Sequence, residues 1–343
     1  QEVRRTFEEG NFREGSGNYR IMETYEEMYV QSIVDSVGRV SRDIRVVLDC
    51  GNAVPGPLAV KVLERLGVDV IPLHCDWDNS FPNHPPDPTR QENMEDLGRA
   101  VLEHGAEFGI GMDGDGDRLG VVDENGSFIR PDRLMGIFVK EVLSDLPDNA
   151  TEEQRTIFFD VKCSMALEEA IEELGGVPKM VRTGHTFMKK ELRKFPSSPM
   201  AGEMSGHFFM NDHWGGFDDS IYCAARLLTI ISKDSPPEQG GPKFSERFKF
   251  MPEYPTTDEG KVPLVGEREE VMGAVVSAFS EMPTSTVDGV RVRYDDGWYL
   301  CRPSNTEPIL VMRAEGRNQE ALDHILSDVG RRIGDIVDLE KLK

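Results

Sequence analysis

Two stretches of this 343-residue chain repeat one order of strand, helix and strand, and this repeat restricts the fold more than any other feature. The first runs from VVLDCGN at 46–52 to VLERLGVDVIPL at 62–73, and the second from IFFDVKC at 157–163 to AIEELGGVPKMV at 170–181. Short apolar, β-branched runs predict strands, and the segments between them have amphipathic helical spacing. Because a strand–helix–strand unit implies parallel pairing, the sequence predicts two α/β domains of similar topology.

The flanking segments complete a multi-domain α/β protein. Residues 21–38 have the apolar spacing of a lead-in helix, and residues 106–112 predict a third strand that precedes a hairpin with its turn at Asp123–Gly126. Further strands and a last helix are predicted towards the carboxyl end. We expect a lead-in segment at 1–40, two mixed α/β domains at 41–150 and 151–252, and a smaller α+β C-terminal domain at 253–343.

The charge balance restricts the partners. The formal net charge is −23, from 62 acidic and 39 basic residues, which argues against nucleic acid or an anionic membrane as the main partner. A phosphorylated small molecule stays compatible, since a few local cations suffice for one phosphate. The five cysteines form no CxxC pair, and there is neither a signal peptide nor an apolar run of ~18 residues. We expect a cytoplasmic protein with reduced thiols.

The segment MDGDGDRLGVV at 112–122 places Asp113, Asp115 and Asp117 two residues apart, directly after a predicted strand. Open α/β sheets place ligands at the carboxyl ends of their strands. The intervening glycines let the backbone fold tightly enough to aim three carboxylates at one point. Hard oxygen ligands at this spacing suit Mg²⁺ or Ca²⁺, so the sequence predicts a divalent metal site.

Two other kinds of site share this acidic pattern. An EF-hand is excluded, because Arg118 stands where that loop needs glycine and the flanking segments are a strand and a hairpin rather than helices. An aspartyl-phosphatase site with Asp113 as the nucleophile stays open, although the third carboxylate fits it poorly.

The segment VRTGHTFMKK at 181–190 is another junction between a strand and a turn, and it carries Arg182 and His185. A single histidine is an ordinary structural residue in many proteins, but next to a glycine at a strand end it also suits proton transfer. Both interpretations stay open on the residues alone.

The segment AGEMSGHFF at 201–209 packs Glu203, Ser205 and His207 between glycines. On an extended segment, side chains two residues apart point to the same side. A carboxylate and a hydroxyl placed in this way suit sugar hydroxyls, which both donate and accept hydrogen bonds.

The segment CRPSNTEP at 301–308 joins a cation, hydroxyls and turn amides in one tight loop: Arg302, Ser304, Asn305 and Thr306. Such a loop suits a phosphate group. An ordinary β-turn would use the same residue types, so the loop alone decides nothing. A metal loop, a sugar loop and a phosphate loop from three modules together indicate a phosphosugar in a cleft between domains, with phosphoryl transfer as the reaction.

Four motifs in this order, DGDGDR, TGHTFMKK, GEMSGH and RPSNTEP, resemble those of the α-D-phosphohexomutase family. FPNHPPDP, DVKCSMAL and the run from GEMSGH to AARLL resemble its bacterial phosphomannomutase/phosphoglucomutase branch. The phosphoglucosamine mutase branch, which usually has Gln in place of Met204, is the alternative. The resemblance implies that a phosphoserine exchanges phosphoryl groups with a hexose, mannose or glucose, and interconverts its 1-phosphate and 6-phosphate through a bisphosphorylated sugar.

The resemblance also implies roles for individual residues. Mg²⁺ would be bound by Asp113, Asp115 and Asp117, and Arg118 would neighbour the phosphoserine. Sugar contacts would come from Arg182, Gly184, Glu203, Ser205 and His207, with His185 as a candidate proton shuttle. The distal phosphate would be bound by Arg302, Ser304, Asn305 and Thr306. The family has lysine at the position of Arg182, and arginine offers a different hydrogen-bond geometry.

One part of the family pattern has no counterpart in these 343 residues. The phosphoserine of the family lies in a TASHNP-like loop of an N-terminal domain, and no such loop occurs here. We therefore expect the chain to start just after that domain, to need it as a partner, and to be inactive by itself. A truncated module that binds phosphosugars without turnover is the alternative.

Overall fold

The computed structural model describes residues 2–304, 307–337 and 339, which form three β-sheets with helices packed on them. The strands are β1 (Arg45–Asp49), β2 (Asp69–Leu73), β3 (Phe108–Met112), β4 (Leu119–Val122), β5 (Phe128–Ile129), β6 (Thr156–Asp160), β7 (Val177–Val181), β8 (Met200–Gly202), β9 (Phe208–Met210), β10 (Gly260–Pro263), β11 (Thr284–Ser285), β12 (Val290–Tyr294), β13 (Gly297–Pro303) and β14 (Ile309–Gly316).

The helices of this part of the chain are α1 (Glu2–Glu9), α2 (Tyr25–Val37), α3 (Gly56–Arg65), α4 (Glu95–His104), α5 (Pro131–Ser144), α6 (Glu152–Arg155), α7 (Met165–Glu173), α8 (His185–Lys194), α9 (Ser220–Ser232), α10 (Arg268–Ala278) and α11 (Gln319–Ile333). Short 3-10 segments lie at Gln91–Met94, Pro237–Gln239 and Ser245–Phe248. None of the helices in the described ranges is long and apolar enough to cross a membrane.

The first two sheets have the same topology. The first has the order β2-β1-β3-β4-β5, and the second has the order β7-β6-β8-β9. In each, the first strand pairs in parallel with the second and the third, and the fourth strand returns antiparallel to the third. The predicted repeat and the mixed α/β fold class are therefore confirmed, and β1, β2, β3 and β4 correspond to β6, β7, β8 and β9.

The carboxyl-terminal sheet is antiparallel throughout, with the order β10-β14-β13-β12-β11. Its buried face packs against α11 and the end of α10 through residues such as Phe279, Ile325 and Val329. This apolar core is separate from that of the first two sheets, which agrees with the predicted α+β module.

One continuous core joins the two repeats. Helix α9 lies in it and is buried on nearly every side, with Tyr222 and Leu228 among its fully buried residues. Helix α5 is also largely buried. The sequence analysis did not predict α5. The domain bounds at residues 40, 150 and 252 stay predictions.

Candidate active site

The six residues Asp113–Arg118, here the aspartate loop, connect β3 to β4 at the carboxyl end of the first sheet. Gly116 has a φ of +78°, which favours glycine and lets the loop turn back sharply. Asp113 Oδ1 then accepts hydrogen bonds from the backbone N–H groups of Gly116, Asp117 and Arg118, at 3.1, 3.0 and 3.0 Å. The first aspartate thus shapes the loop with one oxygen, while its other oxygen faces the carboxylate cluster and the Arg118 guanidinium.

Carboxylate oxygens of Asp113, Asp115 and Asp117 lie within 4.8 Å of one another. Among the described residues, Asp113 Oδ2 and Asp117 Oδ1 are buried atoms without a hydrogen-bond partner. Arg118 Nε lies 2.8 Å from Asp113 Oδ2, but it is poorly aligned for a hydrogen bond. Buried acceptors of this kind are costly unless a cation offsets them, so an all-oxygen site fits a hard divalent cation such as Mg²⁺.

Burial raises the pKa of Asp113 to about 6, because it disfavours the charged form more than Arg118 stabilises it. Burial also opposes the charge of Asp117, but the neighbouring His207 outweighs it and lowers the pKa of Asp117 to about 2. The two neighbouring carboxyl groups therefore have different pKa values, because burial dominates at Asp113 and His207 dominates at Asp117.

His207 lies between the aspartate loop and the second sheet. Its Nε2 is 3.3 Å from Asp117 Oδ1, and its Nδ1 is 3.3 Å from Glu203 Oε2. Burial opposes the charged ring, yet these two carboxylates raise the pKa of His207 to about 9. A cationic His207 joins the two loops electrostatically, and the backbones also meet, where Leu119 N donates to Gly206 O at 3.0 Å.

The GEMSGH loop, residues 202–207, connects β8 to β9 and so corresponds to the aspartate loop of the first sheet. Glu203 is almost completely buried; its Oε1 accepts from Gly184 N at 2.6 Å and its Oε2 from Ser205 Oγ at 3.0 Å. Burial acts against the charge of Glu203, but His207 and these donors lower its pKa overall. Glu203 therefore positions the turn that contains Gly184.

Residues 182–185, here the RTGH turn, follow β7. Gly184 has a φ of +132° and precedes α8, which begins at His185. Half of the His185 side chain is exposed, and its ring stacks near that of His207 at a centroid distance of 6.0 Å. The guanidinium of Arg182 lies over the Phe187 ring at 4.1 Å. Of the predicted site residues in this half of the cleft, His185 is the most accessible for proton transfer.

The C-terminal loop, described here for residues 302–304, begins within β13, which contains Arg302 and ends at Pro303. Arg302 is buried and its Nε donates to Asp288 Oδ2 at 2.6 Å. The same Asp288 oxygen accepts from Thr183 N at 3.1 Å, so one carboxylate holds the C-terminal loop against the RTGH turn. Ser304 is also buried there. The predicted residues Asn305 and Thr306 lie outside the described residues.

The described site residues thus form one connected path, although they come from three sheets. From the aspartate loop to the C-terminal loop, the path runs through Asp117, His207, Glu203, Gly184, Thr183, Asp288 and Arg302. A groove of about 630 Å³ lies beside its last part, lined by Arg182, Arg268 and Asp288 among others.

Three acidic residues of the site were not singled out from the sequence. Asp288 holds Arg302, Asp87 lies 3.3 Å from Arg118 NH1, and Asp218 accepts from Lys189 Nζ at 2.8 Å. Each one acts through a partner that is distant in sequence. In the sequence, Asp218 lies in the run GGFDDS before a helix and Asp87 lies in the run FPNHPPDP, and these runs were the visible signals for the two residues.

Comparison with known families identifies the family to which the chain belongs. Three family descriptions match the chain in order: phosphoglucomutase/phosphomannomutase alpha/beta/alpha domain II at 23–126, domain III at 130–254 and the C-terminal domain at 255–331. The chain belongs to the phosphoglucomutase/phosphomannomutase family. The predicted membership of the α-D-phosphohexomutase family is thereby confirmed.

Individual members of the phosphoglucomutase/phosphomannomutase family are similar to this chain in sequence and in structure. The chain is 43% identical to a Pseudomonas putida phosphomannomutase/phosphoglucomutase over 87% of its own length and 62% of that protein. It resembles a crystal structure of a family protein from Burkholderia thailandensis with a TM-score of 0.86 and 36% identity, over 97% of this chain and 69% of the other. The chain thus spans about two thirds of the length of these relatives.

A more distant likeness concerns the fold alone. The crystal structure of an Aspergillus fumigatus N-acetylphosphoglucosamine mutase in complex with GlcNAc-6P and magnesium matches with a TM-score of 0.64 and 15% identity, over 94% of this chain and 68% of the other.

Proposed function

We propose that this chain supplies the metal, sugar and phosphate sites of a mutase that interconverts hexose 1-phosphates and hexose 6-phosphates, with mannose or glucose as the sugar. The observation that carries the proposal is the path of contacts from the aspartate loop to Arg302, which connects the three predicted binding loops. The names of its relatives and the GlcNAc-6P bound to the Aspergillus fumigatus protein support a phosphosugar as the substrate class.

The aspartate loop is the proposed Mg²⁺ site. Its three carboxylates meet within 4.8 Å and include two buried oxygens without a hydrogen-bond partner, and the Aspergillus fumigatus complex contains magnesium. A bound divalent cation would offset negative charge on a phosphoryl group next to the loop. The Arg118 guanidinium, on the same loop, adds a second positive charge there.

The reaction we propose is a double phosphoryl exchange through a phosphoserine. The phosphoryl group leaves the serine oxygen for a sugar hydroxyl oxygen, and the hydroxyl proton passes to a base. The bisphosphorylated sugar then turns round and returns its other phosphoryl group to the serine oxygen, and the protonated base gives its proton to the sugar oxygen that this group leaves. His185 is the proposed base, because its ring is half exposed at the start of α8 and borders the RTGH turn.

The non-reacting phosphate would be held at the opposite end of the cleft. Asp288 fixes the orientation of the Arg302 guanidinium group, and Ser304, with its hydroxyl group, lies two residues further along the chain. Arg182 and Arg268 line the adjoining groove. By family resemblance, Asn305 and Thr306 complete this phosphate loop. Clustered guanidinium groups bind phosphate oxygens in pairs, so this end would recognise phosphate rather than sugar.

The phosphoserine itself has no counterpart among the 343 residues, so we propose that turnover depends on a serine outside them. The test is a coupled assay of glucose 1-phosphate with Mg²⁺ and glucose 1,6-bisphosphate, and we expect no turnover from the purified 343 residues. Robust turnover would contradict the dependence on an outside serine. The lack of a serine loop in these residues also favours the second candidate, a module that binds phosphosugars without converting them. Turnover by a longer natural form of the protein that contains a TASHNP-type segment would exclude this second candidate.

Both candidates require binding, which calorimetry with glucose 6-phosphate measures directly. We expect Arg302→Ala to weaken binding about 10-fold or more, because it removes a charge-assisted phosphate contact. Arg331→Ala is the matched control, since this exposed arginine of α11 lies in the same module and outside the cleft. Equal affinities for both variants, or no heat from the unmodified chain, would remove the phosphate-loop assignment.

We also propose that the protein works in the cytoplasm. All five cysteines are buried free thiols, as expected for a reducing compartment. The proposal for the sugar follows the phosphomannomutase/phosphoglucomutase relatives; Met204, where phosphoglucosamine mutases usually have Gln, is the residue that separates these branches.

A further inference from the structure

A second cluster of metal-ligand residues lies at the edge of the first sheet, apart from the aspartate loop. Asp49 ends β1, His74 directly follows β2, and His84 lies in the loop 83–88. One ring nitrogen of each histidine and one oxygen of Asp49 lie within 4.8 Å of one another. Asp49 is almost fully buried, and less than a fifth of each histidine side chain is exposed. The cluster is therefore a shielded pocket of donors.

The hydrogen bonds of His84 fix which ring nitrogen faces the cluster. Its Nδ1 lies 2.9 Å from the Pro85 carbonyl oxygen. Since a carbonyl oxygen only accepts, Nδ1 carries the hydrogen, and Nε2 faces Asp49 Oδ2 at 3.0 Å. Histidines that bind metals commonly donate their second N–H to a carbonyl in this way. The position between Nε2 and the carboxylate is left for a proton or a metal ion.

The backbone around the cluster is held rigidly in place. Asn52 N donates to His74 O at 2.7 Å, and the Asn52 side chain donates to Asp76 O and accepts from Asn83. These bonds join the turns after β1 and β2 to the loop that carries His84. The cluster therefore has little freedom to move away from its present geometry, which is what a metal site requires.

The fold gives this cluster a counterpart in the second repeat. Asp49 at the end of β1 corresponds to Asp160 at the end of β6, and the turn after β2 corresponds to the RTGH turn after β7. In the second repeat, Asp160 Oδ2 accepts from Thr183 Oγ1 at 2.8 Å and thereby supports the proposed sugar turn. The histidines thus occupy the sheet edge where α/β folds place their ligands.

We propose that Asp49, His74 and His84 bind a first-row transition metal ion, with Zn²⁺ as the best match. Two imidazoles and one carboxylate form a donor set that suits Zn²⁺, whereas Mg²⁺ takes oxygen ligands of the kind found in the aspartate loop. The ion connects the ends of β1 and β2 to loop 83–88. Asp87 of this loop lies 3.3 Å from Arg118 NH1, so the ion also steadies one border of the aspartate loop.

The test is a titration of the full 343-residue chain with Zn²⁺, with excess Mg²⁺ present so that the aspartate loop is saturated. We expect one Zn²⁺ per chain, and Co²⁺ in its place should show the visible absorption of an ion bound by imidazole.

The decisive variant is His74→Asn. His74 has a φ of +50°, and asparagine tolerates this backbone conformation better than most residues do, so the turn should survive. We expect Zn²⁺ binding to weaken by more than about 100-fold, beyond the usual effect of an outer partner. His104→Asn makes the same change at an exposed histidine of α4 in the same sheet module, and it should bind Zn²⁺ like the unmodified chain.

A second variant, His84→Gln, tests the same site in case His74→Asn disturbs the local fold. Unchanged Mg²⁺ binding by both variants would show that the aspartate loop is intact. If the titration shows no binding of one Zn²⁺ per chain, the proposal is overturned, and His84 and Asp49 form only a hydrogen-bonded ion pair. Equal Zn²⁺ affinities for His74→Asn and His104→Asn would also overturn it. So would loss of Zn²⁺ binding in Asp113→Asn, since the ion would then belong to the aspartate loop.

Discussion

The aspartate loop and the GEMSGH loop occupy the same position in two copies of one fold, yet their side chains are arranged differently. Each connects the third strand of its sheet to the antiparallel fourth strand. The first presents carboxylates towards one another, and two of its buried oxygens face the cations Arg118 and His207 without a well-aligned hydrogen bond. In the second, Glu203 has both oxygens engaged by Gly184 and Ser205. The topology fixes where a loop stands, and its residues decide whether the loop attracts a cation or organises a neighbouring turn.

A second difference concerns the carboxyl-terminal module, which contacts the strand ends of the second repeat. Lys162 Nζ donates to Glu259 at 2.9 Å, Arg313 donates to Lys162 O at 2.8 Å, and Thr183 donates to Asp288. The corresponding edge of the first sheet instead carries the histidine cluster. The two sheets therefore share one topology but differ at this edge, because the carboxyl-terminal module packs against the second sheet and the histidine cluster lies at the first.

The largest effect is expected from Asp113→Asn, which tests whether the aspartate loop differs from the GEMSGH loop by cation binding. An amide keeps the acceptor for the three backbone N–H groups but removes the charge, so Mg²⁺ affinity should fall by about 100-fold or more. Calorimetric titration with Mg²⁺ measures this change. Asp123→Asn is the matched control, because Asp123 also accepts two backbone hydrogen bonds in a turn but lies outside the metal cluster. Equal losses in the two variants would contradict the assignment.

Gly206→Ala tests the backbone contact that joins the two loops. Gly206 has a φ of +83°, and an added Cβ would lie 2.9 Å from the Leu119 carbonyl oxygen. Left-handed strain and the clash together should lower the free energy of unfolding by about 2 kcal/mol. Urea denaturation measures it. Gly105→Ala has a φ of +60° and open space around the added Cβ, so it should cost only about 1 kcal/mol; the same cost at both glycines would show that the loops do not need this contact.

The smallest effect concerns the docking of the carboxyl-terminal module. Burial opposes the charge of Glu259, but Lys162 outweighs it and lowers the pKa of Glu259 below its ordinary value. A lowered pKa means that the stabilisation is complete above the unfolded-state value, near 4.5, and is lost as the pH falls through the lower folded-state value. A third of the Glu259 side chain is exposed, so we expect about 1 kcal/mol at most.

The pH dependence of Glu259 is measured by urea denaturation at pH 7 and at successive steps below pH 4.5. Glu259→Gln removes the titrating group, so the free energy of unfolding should fall by up to about 1 kcal/mol less on acidification in this variant than in the unmodified chain. Glu267→Gln provides a control, because Glu267 is an exposed glutamate of the same module at the start of α10. An identical acid response in both variants would show that this ion pair does not contribute to docking.

The sequence by itself determined the fold class, the internal repeat and the family, since these depend on local periodicity and on short motifs. The strands β1 and β6 lie where their apolar patterns predicted them. The aspartate loop was also predictable, because its three carboxylates lie two residues apart in the chain and directly follow a strand.

Only the tertiary structure decided how these loops meet. Asp288 supports Arg302 from fourteen residues away and also contacts Thr183, and His207 lies between carboxylates of two different sheets. The histidine cluster likewise unites residues from the ends of two strands and a loop. The physical reason is that parallel strands bring distant segments to one edge of a sheet, where burial and charge act between residues that no local pattern connects.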